Sequence, residues 1–485
     1  MIRKQRNRPD MASQKRRTDR VLNDIAAYAT KKKNIRKPAY EMARYCLLDS
    51  LACGLEAQAH PDCARLLGPV VPGATLANGA RVPGTRYRLE PIKAAFDIST
   101  AIRWLEHSDT WFGTDGGHPS DTLGAVLAVA DYVSRARSNG ATALSVREVL
   151  TALIKAYEIH GVLLIKNNFI DLGLDGIAVV AVATAAIATQ MLGGSHEQVV
   201  NAVSNAWLDG TSPRIYRIGH HAGPRKAWAA GDAASRGVMH ALFAMRGEPG
   251  YPAALTTPKW GVSDAVLHGN PIVLGRALDS HIVENVLFKV PFPAQFHTQT
   301  ASECALKLHP LVKTRIEDIE RVPMRTHTKT LQSAYKTGPL HNAASRDHCV
   351  QYVAAIVLLH GNLTTEDYED HVAADPRIDV LRDKMVVTED KQFTKDFYDP
   401  RKRSNPNAMR IEFRDGSKTS EVRIDYPVGH PRRRSEALPL VELKFRRSVE
   451  AFLPRKRHDA VLEACGSLTR LQRLPFHHFM DLFAA

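Results

Sequence analysis

The residues best suited to chemistry fall between Ser108 and Asp131. Asp109, Thr110, Trp111, Gly113, Asp115, Gly116 and Gly117 form a polar, glycine-rich stretch. Leu123, Val126, Leu127 and Ala130 then repeat at the spacing of a buried helix face. His118 stands at the junction. Pro119, Ser120 and Asp121 after it read as a helix start, because proline fits a first turn and short polar side chains satisfy its free N–H groups. The positive end of a helix dipole favours a bound anion and disfavours an imidazolium. His118 is therefore expected to stay neutral and able to accept a proton. The plainer alternative is a histidine that only caps the helix.

Other stretches carry similar groups. Glu106 and Thr110 are four apart and share a face if the preceding helix continues. Arg214, Arg217, His220, His221, Arg225 and Lys226 gather before a helix that begins near Ala227, which suits a di- or tricarboxylate; a solvated basic loop is the alternative. His297 follows the stiff Pro291-Phe292-Pro293 segment, as a positioned base or an ordinary cap. Tyr352, on an apolar helix, reads as core more readily than as an acid. Neutral bases, a phenol and cations suit removal of a proton beside a carboxylate with loss of a hydroxyl.

Helices must position most of these groups. Helical spacing runs from about residue 17 to 56, then over 92–107, 119–136, 145–165, 176–193, 196–208 and 226–246. Residues 321–327 have strand character, and 409–426 read as a hairpin about Asp415-Gly416. Helices return after about residue 429. The expected organisation is a basic, disordered tail (1–17), a helical domain (18–270 and 429–485) and an α+β lid (271–428).

The net charge of +14 is mostly that tail: residues 1–37 hold 13 Lys and Arg against three Asp, and the other 448 residues hold 52 against 48 Asp and Glu. No nucleic-acid partner is expected from such a body, and no membrane partner, since no run of apolar residues is long enough to span one. The six cysteines are scattered without a C-x-x-C pair, as reduced thiols of an intracellular protein would be. They give no clustered metal signature. The expected compartment is the cytoplasm, with the basic tail as a weak mitochondrial presequence the alternative.

Longer runs carry a resemblance. YCLLDSLACGLEA (45–57), GHPSDTLG (117–124), RKAWAAGDAASR (225–236), ENVLFKVPFPAQFHTQTA (284–301), RDHCVQYVAAI (346–356) and YPVGHPRRR (426–434) resemble the 2-methylcitrate dehydratases of the MmgE/PrpD superfamily, from about residue 18 to the end. The resemblance implies a mostly α fold with an α+β lid, the helical domain being made from both chain ends. It implies a homodimer, a tricarboxylate substrate and dehydration without metal or cofactor. The family's cleft positions fall on Thr110, His118, Lys226, His297 and Tyr352. They imply His118 and His297 for proton transfer, Lys226 for a substrate carboxylate, Thr110 for orientation and Tyr352 as acid or hydroxyl ligand. Glu106, Asp109, Asp115, Arg217, Arg225, Gly116 and Gly176 are the expected substrate-binding positions around them.

The chain departs from the family pattern in one direction. Glu106 stands for an Asp, Asp115 for a Glu, Gly116 for a Trp, Gly176 for a His and Ala181 for a Lys. The last three remove volume, and each buried CH₂ of a substrate contributes about 0.8 kcal/mol. The leading expectation is thus a 2-alkylcitrate dehydratase with a chain longer than methyl, as in secondary metabolism. The alternatives are 2-methylcitrate dehydration in propionate catabolism, decarboxylation of a cis-aconitate-type acid, and a non-catalytic homologue that has lost the His at Gly176.

Overall fold

The computed structural model describes residues 17–32, 34–137, 143–210, 212–218 and 222–485. The expected disordered tail (but for Arg17), His220 and His221 lie outside the described residues. The helical pattern over 17–56 is two helices, α1 (Arg20–Thr30) and α2 (Lys37–Glu56). The second helix starts just before Pro38, which sits in its first turn, where proline's missing N–H leaves no helical bond unmade.

Six helices follow: α3 (Pro91–Trp104), α4 (Leu123–Arg137), α5 (Val146–Leu164), α6 (Ala178–Met191), α7 (His196–Asp209) and α8 (Arg225–Met245). Their starts are written in local chemistry. The Glu90 carboxylate accepts from Ile92 and Lys93 N–H, and α5 and α7 open on capping boxes, Ser145 with Glu148 and Ser195 with Gln198. In α6 only Gln190 reaches beyond the buried set, as its alanine-rich sequence predicts.

Two glycines of α8 set the site. A Cβ at Gly231 would lie 2.2 Å from Thr100 Oγ1 of α3, and one at Gly237 would lie 1.9 Å from Thr184 Oγ1 of α6. Only glycine lets α8 lie this close between α3 and α6. The close packing brings Lys226, in the first turn of α8, to the end of α3.

One hydrophobic core takes in residues from Leu22 to Val290 together with residues from Val428 to Phe483; a second runs from Phe292 to Phe413. The second core lies between α9 (Gln299–Val312), α10 (Val350–His360) and a five-stranded sheet. In that sheet β1 (Ile319–Thr326) pairs in parallel with β2 (Met385–Glu389) and antiparallel with β3 (Asn407–Met409) and β4 (Glu412–Phe413); β3 also pairs with β5 (Val422–Ile424). The 409–426 hairpin is therefore split. Its ends pair as β3 with β5, and Gly416 takes the turn at φ +82°, but Glu412 and Phe413 pair with β1.

The chain then returns to the first core through α11 (Arg434–Phe452). Lys444 of α11 donates to Asp49 Oδ1 of α2 and to the carbonyl of His107, both at 2.8 Å. That bond ties the end of the chain to the loop bearing Asp109 and Thr110. All six cysteines are buried and unbridged. No described helix is long and apolar enough to cross a membrane.

Candidate active site

Where α3 ends, Glu106 is the centre of a buried charge cluster. Its carboxylate accepts from Arg103 at 3.0 Å, pairs with Lys226 Nζ at 3.3 Å and takes a short bond from Lys289. Burial alone would raise its pKa; Arg103, Lys289 and Lys226 outweigh burial and hold it well below the carboxylate range. Lys226 also donates to both oxygens of Asp347, at 2.8 and 3.1 Å. Arg103 also lies 3.9 Å from Asp121, whose carboxyl burial pushes up to about 7; with Asp121 protonated, three cations face two carboxylates, Glu106 and Asp347, an excess of positive charge that suits a polyanionic ligand.

Asp347 and His348 precede α10. The imidazole Nδ1 is in short contact with the Asp347 carboxylate and lies 3.1 Å from Lys226 Nζ. Glu106, Asp347 and His348 have the spacing of metal ligands, their donor atoms lying within 4.8 Å of one another. The ammonium of Lys226 lies within 3.3 Å of all three, so these groups serve a lysine and leave no space for a cation between them. Glu106 is 3% exposed and His348 is 23% exposed. His348 is the most exposed of the three.

The loop from Ser108 to His118 lies against this cluster. Trp111 and Phe112 pair antiparallel with Gly117 and Gly116. Thr110 exchanges backbone hydrogen bonds with Leu287 at 2.8 and 2.9 Å, two residues before Lys289, and its hydroxyl donates to the Gly117 carbonyl at 3.1 Å. The Asp109 carboxylate accepts from Ser120 N–H at 3.1 Å, and burial raises its pKa to about 6. His118 precedes a turn of 3₁₀ helix that leads into α4, but its side chain caps nothing. Nδ1 instead lies 2.6 Å from the Asp109 carbonyl. A carbonyl only accepts, so Nδ1 carries the proton and Nε2 keeps its lone pair. Burial, then Arg103 and Lys289, hold its pKa well below the usual imidazole value. His118 is a neutral base.

His297 has the same tautomer by another route. The Asn405 side-chain amide donates to the Phe296 carbonyl at 2.9 Å, which turns its oxygen to His297 Nδ1 at 3.1 Å and His327 Nε2 at 2.8 Å. His297 is 2% exposed, among Phe112, Phe296, His327 and Phe397. Gln295 accepts from its backbone N–H at 2.7 Å and donates to the Asp347 carbonyl at 3.0 Å, linking this turn to the charge cluster.

Several expected residues stand elsewhere. The Tyr352 hydroxyl donates to the Asp367 carbonyl at 2.6 Å, and Tyr352 lines a separate cavity of about 200 Å³ with Arg346, Asp370, Asp379 and Arg382. Arg225 pairs with Asp232 at 3.3 Å, lies over Tyr216 and Trp228, and faces another cavity. Arg217 pairs with Asp175 and donates to the Lys226 carbonyl at 3.1 Å, so it positions Lys226 from behind. Asp115 accepts from Gly116, Phe169 and Ile170 N–H, and so ties the glycine loop to the segment after α5.

The structure fills the expected recess at Gly116 but leaves room at Gly176, and Ala181 lines the cavity that Arg225 faces. A Cβ at Gly116 would lie 2.8 Å from the Phe112 ring, so Phe112 fills that recess; one at Gly176 meets Leu164 at 3.5 Å and Asp115 at 3.6 Å, ordinary contact. Arg103, Lys289, Asp347 and His348 were missed as site residues. A cation inside an apolar segment was their available signal, in Ala101-Ile102-Arg103-Trp104 and Leu287-Phe288-Lys289-Val290.

Comparison with known proteins agrees along the chain. Residues 23–274 match the MmgE/PrpD N-terminal domain and residues 292–468 the MmgE/PrpD C-terminal domain. The chain is 47% identical over 469 residues to 2-methylcitrate dehydratase of Escherichia coli, covering 96% of this chain and 97% of that one. It is 44% identical to a mitochondrial 2-methylcitrate dehydratase of Yarrowia lipolytica, covering 96% and 90%. It is 41% identical to a 2-methylcitrate dehydratase-like protein of Aspergillus oryzae, covering 96% and 95%. The chain belongs to the MmgE/PrpD family and is a carbon–oxygen lyase of the hydro-lyase type.

Proposed function

We propose that the protein dehydrates 2-methylcitrate to 2-methyl-cis-aconitate. The observation that carries this reading is a buried excess of cations, Arg103, Lys226 and Lys289, beside the fixed neutral imidazole of His118. Cations hold the substrate carboxylates and stabilise the charge that develops when the carbon beside one of them loses its proton. In this reading Lys226 binds a carboxylate, Thr110 orients the substrate, and His118 and His297 present lone pairs to the reacting groups. The filled recess at Gly116 favours methyl over a longer chain. The working unit is taken as a homodimer, which sedimentation checks directly.

The test is turnover of citrate, 2-methylcitrate and 2-ethylcitrate by purified protein, followed by the ultraviolet absorbance of the new double bond. Highest kcat/KM on 2-methylcitrate is expected. A preference for 2-ethylcitrate would restore the long-chain reading, and CO₂ release would make the protein a decarboxylase. No turnover of any of the three would refute the proposal.

A further inference from the structure

We propose that His348, oriented by Asp347, is the group that carries the proton during turnover, taking it from the substrate carbon and returning it to the departing hydroxyl. The inference rests on the dehydratase reading above.

Of the described imidazoles beside the site, His118, His297 and His348 differ in what lies behind Nδ1. His118 has a backbone carbonyl, at 2.6 Å, and His297 a carboxamide oxygen, at 3.1 Å. His348 has a carboxylate. The carbonyl behind His118 and the carboxamide oxygen behind His297 only accept, so both hold Nε2 as an acceptor; His348 Nδ1 faces the accepting Asp347 carboxylate and the donating Lys226 ammonium at 3.1 Å, and it takes the same tautomer when a substrate carboxylate draws that ammonium away. Only the carboxylate adds a full negative charge to stabilise an imidazolium as it forms, the role an aspartate plays behind a catalytic histidine. His348 is also more exposed than its two partners, at 23% against 3% for Glu106 and 11% for Asp347.

Dehydration needs such a group. The C–H bond breaks and its proton goes to Nε2; the electron pair forms the C=C bond; the C–O bond on the neighbouring carbon breaks. The hydroxide so formed takes the proton from Nε2 and leaves as water, and His348 is neutral again. No other reactant is required. His118 and His297 can accept hydrogen bonds from the substrate throughout. The Tyr352 hydroxyl, already donating to Asp367, is not needed as an acid.

Burial, then Lys226, depress His348 to about 4, against the pull of Asp347 and Glu106. The charge of His348 in turn helps lower His297, and Lys336 interacts with Asp347 and Lys226 of the same cluster. A substrate carboxylate on Lys226 offsets the lysine charge and moves His348 toward the pKa range in which a base works best.

The experiment compares wild type, His348→Asn and Asp347→Asn in 2-methylcitrate turnover, with ¹⁵N-histidine NMR of each protein. His348→Asn is expected to lower kcat by about 10²- to 10⁴-fold with KM within about threefold. Asp347→Asn is expected to lower kcat and to weaken the preference of His348 for the Nδ1–H tautomer in the spectrum. A folded His348→Asn protein that keeps kcat within threefold of wild type overturns the proposal. If His348→Asn does not fold, an Asp347→Asn protein with unchanged kcat and unchanged tautomer overturns it instead. Wild-type protein inert on 2-methylcitrate counts against the functional reading, whereas the tautomer measurement judges the Asp347–His348 pair without substrate.

Discussion

Lys289→Met tests the charge cluster where it bears on both binding and chemistry. Lys289 is fully buried and its ammonium bonds to Glu106. Removing one partner of a buried pair typically costs about 3–5 kcal/mol because a charge is left uncompensated. Here Glu106 keeps Arg103 at 3.0 Å and Lys226 at 3.3 Å, and burial had already made the Lys289 ammonium costly, lowering its pKa. The expected loss of stability is therefore smaller, about 1–2 kcal/mol. Function changes more. Three cations facing two carboxylates become two facing two. At an effective dielectric of about 20, a unit charge roughly 8 Å from a substrate carboxylate contributes about 2 kcal/mol, or about thirtyfold in binding. KM should rise on that order. Lys289 also helps depress His118, after burial and Arg103. Without it the His118 pKa rises, and activity that needs the neutral imidazole is lost at a higher pH on the acid side. The assay is kcat/KM against pH, with melting curves of both proteins. A folded variant whose KM and acid limb match wild type would refute the account of the cluster.

Three further outcomes follow from single contacts. Tyr352→Phe removes one hydroxyl bond to Asp367, at 2.6 Å; it should cost about 1 kcal/mol of stability and keep kcat within about threefold, whereas a catalytic acid would cost about 10²-fold or more. Gly116→Ala drives a Cβ to 2.8 Å from the Phe112 ring, which lies 5.1 Å from the His297 ring. Turnover should fall and stability drop by about 1–3 kcal/mol, with Phe112→Leu in the same chain recovering most of both in melting and rate measurements. Burial raises Asp121 to about 7, above the value of an unfolded carboxyl, so at pH 8 its ionisation opposes folding. Asp121→Asn should then be more stable at pH 8, by up to about 4 kcal/mol, and gain little at pH 4; an equal gain at both pH values would defeat that argument.

What the sequence shows of this fold follows from the range of the forces involved. Helices such as α6 are legible because their apolar positions repeat within one element. The split hairpin is not, since Glu412 and Phe413 find partners in β1 some ninety residues earlier, and no local pattern announces a competing strand. Strand β2 escapes for the same reason: its only partner is β1, in parallel. The site divides likewise. His118 and Lys226 stand at helix starts, where charge and chain geometry make them conspicuous. Lys289 and Arg103 are buried cations whose common partner, Glu106, is local to one and 183 residues from the other. Their pairing exists only after folding. Gly116 misleads because a small residue reads as empty space, yet the space beside it belongs to Phe112.

The same cluster couples binding to base strength. Lys226 is shared between Glu106, Asp347 and His348, so it cannot engage a substrate carboxylate without loosening one of those bonds. Asp347 holds it most closely, at 2.8 Å. A carboxylate that draws the ammonium away leaves the Asp347 charge facing His348 Nδ1–H alone, and the lysine charge that depresses His348 is offset in the same event. In the proposed reaction, base strength therefore rises when an anion is seated and falls when it leaves. Arg217, which pairs with Asp175 and donates to the Lys226 carbonyl at 3.1 Å, limits how far the lysine backbone can follow. The exchange is then made by the side chain, over the short distance between Asp347 and the substrate.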